Sequence, residues 1–240
     1  MTMVQWMAPA GLVFDLDDTL YPERMFVEGG LTAVAAVLDS RFPADLKWLT
    51  VLTRILNDEG PFSLFDRALE KAGIPRDQTL IDELVTAFRN HAPSLRPWPG
   101  VVDMLRSLRA AGAMTAIVTD GYLDVQRSKF RALAMADLFD AVVFCADVDG
   151  AVHPKPDPAG FIKAASLLAD VAGQMPRPLV YIGDNPSRDF PAPDSLGWKT
   201  VRVCRPGIWH LGQTDPQPGR PRAADTAELL DLLKQYISKN

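Results

Sequence analysis

Asp15 and Asp17 stand one residue apart at the end of the apolar run Gly11-Leu12-Val13-Phe14, inside the segment Asp15-Leu16-Asp17-Asp18-Thr19-Leu20. In a buried strand the side-chain period of two sends both carboxylates to the same side. One can attack as a nucleophile, splitting a difficult displacement into two easier steps, while its neighbour protonates the leaving group and later activates water. A D-x-D on its own is more often a helix cap or a turn. Here three further polar clusters follow it in order: Val118-Thr119-Asp120-Gly121, His153-Pro154-Lys155-Pro156-Asp157-Pro158 and Gly183-Asp184-Asn185-Pro186-Ser187-Arg188-Asp189.

Each cluster lies at the end of a strand-like run or the mouth of a helix. The spacing of apolar residues predicts a helix over 101–108, a strand over 114–118, a helix over 124–134 and a strand over 141–144. It then predicts a helix over 159–172, with Phe161, Ile162, Ala165, Leu168 and Ala169 on one face, and strands over 179–182 and 200–203. This alternation is the pattern of a parallel sheet flanked by helices, with five strands counting the first. Ligands of such sheets bind beyond the carboxyl ends of the strands, so Asp15, Thr119 and Asp184 are expected to converge on one rim. Residues 22–91 break the alternation with helical patterns over 31–38, 46–56 and 81–88, between Tyr21-Pro22 and the prolines Pro93, Pro97 and Pro99. A Pro- and Gly-rich loop is expected from Cys204 to about Arg222. Asp225-Thr226-Ala227-Glu228 has capping-box spacing and opens a last helix carrying Leu229, Leu230, Leu232, Leu233 and Ile237.

The four polar clusters, in this order from Asp15 to Asp189, resemble the signature motifs of the haloacid dehalogenase-like (HAD) hydrolase superfamily. The resemblance implies an α/β fold: a Rossmann-like HAD core with a parallel sheet flanked by helices over 1–21 and 93–240, plus an inserted all-helical cap of the subfamily I (C1) kind over 22–92. It implies Asp15 as nucleophile on phosphorus and Asp17 as general acid and base, with a carboxyl pKa raised by its neighbours. Thr119, with the backbone around Asp120 and Gly121, would bind phosphate oxygens, and Lys155 would neutralise both the nucleophile and the phosphoryl group. Asp184 and Asp189 offer oxygen ligands to a hard cation, for which Mg2+ is the natural choice. By the resemblance Asp15 and the main-chain carbonyl of Asp17 join that set, and Asp189 acts directly, through water, or by orienting Lys155. Asp18 and Thr19 shape the turn after the strand.

Within the superfamily, dehalogenases attack carbon and lack an acid two residues beyond the nucleophile, whereas this chain has Asp17. Phosphomonoester hydrolysis therefore leads, with a phosphomutase and a non-catalytic phospho-ligand scaffold as alternatives. A net charge of -5 over 240 residues, without a Lys/Arg block, argues against nucleic acid as a partner. No apolar run is long enough for a membrane span, and no Lys or Arg precedes Asp15 to form a charged leader. Cys145 and Cys204 lack metal-ligand spacing, and His91, His153 and His210 show no zinc pattern. The expected protein is cytoplasmic, a monomer or homodimer, with a small phosphorylated metabolite as its partner. Arg24, Arg54, Arg89 and His91 are polar candidates for contacting substrate from the helical insertion.

Overall fold

A computed structural model describes residues 9–43 and 46–238. The leader reading made on the first residues falls partly on 1–8, which lie outside the described residues. The chain divides into two compact units, Met1–Glu23 with Arg96–Asn240, and Arg24–Leu95.

In the first unit the short apolar runs become strands of a parallel sheet, most of their residues buried under the covering helices. They are β1 (Gly11–Phe14), β2 (Met114–Thr119), β3 (Ala141–Phe144), β4 (Leu179–Gly183), β5 (Lys199–Val203) and β6 (Arg222–Ala223). The sheet order is β3-β2-β1-β4-β5-β6 and every pairing is parallel. The chain builds outward from β1 in one direction and then, starting with β4, in the other. The crevice at β1 and β4 is thus the topological switch point, where open α/β sheets bind ligands. Asp15 follows β1 and Asp184 follows β4, with β1 and β4 aligned from Gly11↔Leu179 to Phe14↔Ile182.

The helices of this unit are α5 (Val101–Ala110), α6 (Leu123–Leu133), α7 (Ala159–Ala172), α8 (Pro191–Ser195) and α9 (Thr226–Ile237), numbered after four helices of the second unit. Phe161, Ala164 and Leu168 of α7 pack with Val13, Val118, Val143 and Tyr181 in the core under the sheet. Ile162 was expected on that face but is exposed, because the buried stripe runs through Gly160, Phe161, Ala164, Ala165 and Leu168. Asp225 caps α9 by accepting from Glu228 N at 2.9 Å, and Leu229 and Leu233 carry its buried side. The sixth strand adds to the five expected. Its two residues carry no apolar run to read, and it forms because Arg202 N and Cys204 N each donate 2.8 Å hydrogen bonds across to Pro221 O and Ala223 O.

The second unit contains α1 (Arg24–Arg41), α2 (Trp48–Glu59), α3 (Leu64–Lys71) and α4 (Gln78–Asn90), with no strand among the described residues. The helix α3 was missed: its single apolar stripe of Leu64, Ala68 and Leu69 is too short for the period to stand out. Asp77 caps α4 by accepting from Thr79 N at 2.9 Å. Among the described residues no helix is long and apolar enough to cross a membrane.

Candidate active site

The loops after β1 and β4 and the segment before α7 bring Asp15, Lys155, Asp184 and Asp189 together. Lys155 Nζ lies 2.5 Å from Asp15 Oδ1, 2.8 Å from Asp189 Oδ1 and 2.7 Å from the Tyr181 hydroxyl. Both oxygens of Asp189 are occupied, since Oδ1 also accepts from Tyr181 at 3.1 Å and Oδ2 accepts from Asp184 N at 3.0 Å and Asn185 N at 2.8 Å. Gly183 makes this possible: a Cβ there would sit 2.5 Å from Asp189 Oδ2, so any side chain would push the carboxylate off the two backbone amides. Asp184 differs, for its Oδ2 is buried without a partner. Burial, followed by repulsion from Asp189, pushes the Asp184 carboxyl up to about 10, and burial pushes Asp15 up to about 8 against the pull of Lys155. One lysine is too little charge for three buried carboxylates.

Asp17 occupies a second cluster on the same rim. Lys129 Nζ donates to its Oδ1 at 2.8 Å, Tyr21 donates to the same oxygen, and Gln126 Nε2 donates to Oδ2 at 2.9 Å. Burial raises the Asp17 carboxyl, but the Lys129 charge and the three donors together outweigh it, and its pKa is lowered. This reverses the sequence expectation of a raised value. The expectation counted only acidic neighbours along the chain, while the deciding cation arrives from α6. Lys129 also bridges to Glu23 at 3.2 Å, and burial pushes Glu23 up to about 7.

Asp15, Asp17, Asp18, Glu23, Asp120, Lys155, Asp184, Asn185, Arg188, Asp189 and His210 line a cavity of about 140 Å³. Asp120 forms an ion pair with Arg188, so its side chain is committed to the neighbouring loop. Thr119 is buried, and its hydroxyl accepts from Gln126 Nε2 at 2.6 Å. Gly121 adopts φ 140°, a region that favours glycine, and a Cβ there would sit 3.2 Å from the Gln126 side chain. Asp18 adopts φ 54° and accepts from Glu23 N at 2.8 Å and Trp209 N at 2.9 Å, tying the loop after β1 to the loop after β5. That second loop delivers His210, whose ring is held between the side-chain amides of Asn185 at 3.0 Å and Gln213 at 2.9 Å. Burial outweighs the pull of Asp18 and Asp189 and keeps the imidazole below its ordinary pKa.

The structure therefore gathers Asp15, Asp17, Asp120, Lys155, Asp184 and Asp189 around one cavity, with Thr119 and Gly121 joined to it through Gln126. Sequence reasoning missed Tyr21, Glu23, Gln126, Lys129, Arg188 and His210. The only trace of Gln126 and Lys129 in the sequence is two polar residues three apart on a helix, which reads as a solvated face. Of the polar candidates in the helical unit, Arg24 pairs with Glu28 at 2.8 Å, and His91 packs on Phe26 with its Nδ1 2.7 Å from Phe88 O.

A metal fits this donor set. Ligand oxygens of Asp15, Asp184 and Asp189 all lie within 4.8 Å of one another, and the unpartnered Asp184 oxygen is the kind of buried atom that a hard cation satisfies.

A parallel sheet with a switch-point rim, and on it a carboxylate pair, a buried lysine and three clustered carboxylates that could hold a cation, fits a hydrolase with an α/β fold. The sequence pattern of haloacid dehalogenase-like hydrolases matches residues 9–197, and the chain belongs to that family. It is 29% identical, over 93% of its length and 97% of the other's, to a protein of Methanopyrus kandleri named glyceraldehyde 3-phosphate phosphatase. It is 31% identical, over 70% of its length and 68% of the other's, to a protein of a Pseudomonas species named (S)-2-haloacid dehalogenase 1. Its fold is shared with the HAD-hydrolase YfnB of Bacillus subtilis, crystallised with magnesium, at a TM-score of 0.63 and 18% identity over 94% of this chain and 99% of that one.

Proposed function

We propose that the chain is a Mg2+-dependent phosphomonoester hydrolase that acts on a small phosphorylated metabolite through an aspartyl-phosphate on Asp15. The observation that carries this reading is the acidic residue Asp17 on the same rim as the Asp15–Lys155 pair, because attack on carbon in a dehalogenation needs no group to protonate a leaving oxygen. The name of the Methanopyrus kandleri relative supports phosphate ester chemistry, and the dehalogenase relative makes Asp17 the point of decision.

An Asp15 oxygen attacks phosphorus, the ester P–O bond breaks, and Asp17 delivers a proton to the departing oxygen. The negative charge of the phosphoryl group beside Asp17 favours the protonated carboxyl needed for that step. Asp17 then takes a proton from water as the water oxygen attacks the same phosphorus, releasing phosphate and restoring Asp15. Lys155, held by Asp189 and Tyr181, offsets charge on Asp15 and on the transferring group, while Thr119 and the backbone at Asp120 and Gly121 receive phosphate oxygens. Asp15, Asp184 and the Asp17 main-chain carbonyl would hold the Mg2+, with Asp189 beside them. When bound, the cation draws charge from the phosphoryl oxygens and offsets their repulsion by the carboxylates. The inserted helical unit is the proposed lid that selects the substrate.

The test is release of inorganic phosphate from a panel of sugar phosphates, nucleotides and phosphoglycolate-like acids with Mg2+, with a chelator, and with 2-chloropropionate as a competing substrate class. Turnover of phosphate esters that stops in chelator and returns with Mg2+ is expected. Halide release instead of phosphate release sinks the reading.

A further inference from the structure

Lys129 is 4% exposed, and it sits three residues after Gln126 on α6, the helix that leaves the Thr119-Asp120-Gly121 turn. Its ammonium lies 2.8 Å from Asp17 Oδ1, and the opposite oxygen, Oδ2, is taken by Gln126 Nε2 at 2.9 Å. The second hydrogen of that amide goes to Thr119 Oγ1 at 2.6 Å. A carboxylate gripped at both oxygens from one helix has lost its freedom to rotate. An exposed cation would suffice to balance the charge of Asp17, whereas an ammonium is costly to bury unless it is well paired. The arrangement fixes direction as well as charge. Neither Lys129 nor Gln126 lines the cavity, so each acts on the reaction through the residues it holds: both hold Asp17, Lys129 also Glu23, and Gln126 also Thr119.

We propose that Lys129, assisted by Gln126, is a positioning residue for the acid/base carboxylate: it aims Asp17 at the ester oxygen that departs, and so sets how strongly the rate depends on the leaving group. The proposal rests on the reading of Asp17 as the group that protonates this oxygen. A poor leaving group such as an alkoxide needs the aimed proton, and p-nitrophenolate departs without it.

The experiment compares kcat/KM, which reports the phosphoryl transfer to Asp15, for an alkyl phosphate and for p-nitrophenyl phosphate at saturating Mg2+. Lys129→Met is expected to slow the alkyl ester about 10²-fold and p-nitrophenyl phosphate by about tenfold or less, within the range of general acid catalysis. Lys129→Arg should recover part of the alkyl activity. Equal losses on the two esters overturn the proposal and leave Lys129 as a structural ion pair. Asp17→Asn supplies the reference and should show the same skew, larger. A skew in Asp17→Asn without one in Lys129→Met overturns the role of Lys129 alone, and no skew in Asp17→Asn removes the acid assignment and the proposal with it. Should Lys129→Met fail to fold, Gln126→Leu carries the same comparison with the ion pair intact: a skew supports the proposal, and a uniform loss overturns it.

Discussion

Two charge clusters of the first unit are built on opposite terms. Behind β5, Arg220 is 1% exposed at its side chain and contacts Asp215 at 2.9 Å, Asp194 at 2.8 and 3.1 Å, and the Thr200 hydroxyl. Its guanidinium also lies 3.9 Å from the centre of the Phe190 ring, and Asp215 Oδ1 accepts from Gln217 N at 2.9 Å. Burial lowers the Arg220 pKa, yet the two carboxylates more than offset it and the value is raised. At the rim, Asp15 and Asp189 share Lys155, Asp184 beside them keeps an unpartnered oxygen, and Asp15 and Asp184 are driven toward protonation. The closed cluster fastens a Pro- and Gly-rich loop to the sheet. The open one has charge left over for something that arrives.

If that contrast is right, removing a charge should act on different properties at the two places. The largest effect is expected for Asp15→Asn: an amide cannot form an acyl phosphate, so turnover should fall by roughly four orders of magnitude or more, as for loss of a nucleophile elsewhere. The fold should survive, because the amide is nearly isosteric with the carboxyl and adds no charge to a crowded group. Phosphate release and a thermal melt, compared with the native chain, check both halves. Near-native activity would remove Asp15 from its role, and a collapse in stability would make the rim a structural cluster after all.

Arg220→Met should do the reverse. It leaves the buried Asp215 without its cation, a loss that typically costs about 3–5 kcal/mol, while the exposed Asp194 can turn to solvent. Urea unfolding should show this, while kcat/KM per folded molecule stays close to the native value. An intact stability curve would mean that the Arg220 cluster only decorates the loop, and the comparison would lose one of its two sides.

The rim was legible in the sequence to the extent that it is local. Asp15, Thr119 and Asp184 each follow an apolar run, and parallel strands put such ends on one side, so their convergence follows from topology. What the sequence left out comes from across the fold. Lys129 and Gln126 matter only because α6 packs against the loop of Asp17, and that packing also reverses the direction of the Asp17 shift. Glu23 and His210 reach the cavity from loops whose paths are set by Asp18 accepting two backbone amides. Short elements were lost for a different reason: β6 is defined by partners rather than by composition, and α3 spans about two turns between Pro61 and Pro75.

The smallest predicted effect tests the open cluster through its protons. In the unfolded chain aspartates release theirs near pH 4, at roughly their reference value. In the folded, metal-free protein Asp15 holds its proton to about 8 and Asp184 to about 10. Between these limits the folded state binds more protons than the unfolded one, so stability must fall as pH rises, by at most about 1.4 kcal/mol per pH unit for each group. Asp17, whose pKa is lowered, works in the opposite sense but only below about pH 4, outside this window. A cation that binds the ionised carboxylates stabilises the folded state and does so more at high pH, flattening the slope. Urea unfolding from pH 6 to 9 in chelator should therefore show declining stability, and the same series in Mg2+ a higher and flatter line. A metal-free series that is level or rises with pH would mean that the rim carboxylates are already matched by the protein's own groups, and the distinction between an open and a closed cluster would have no physical basis.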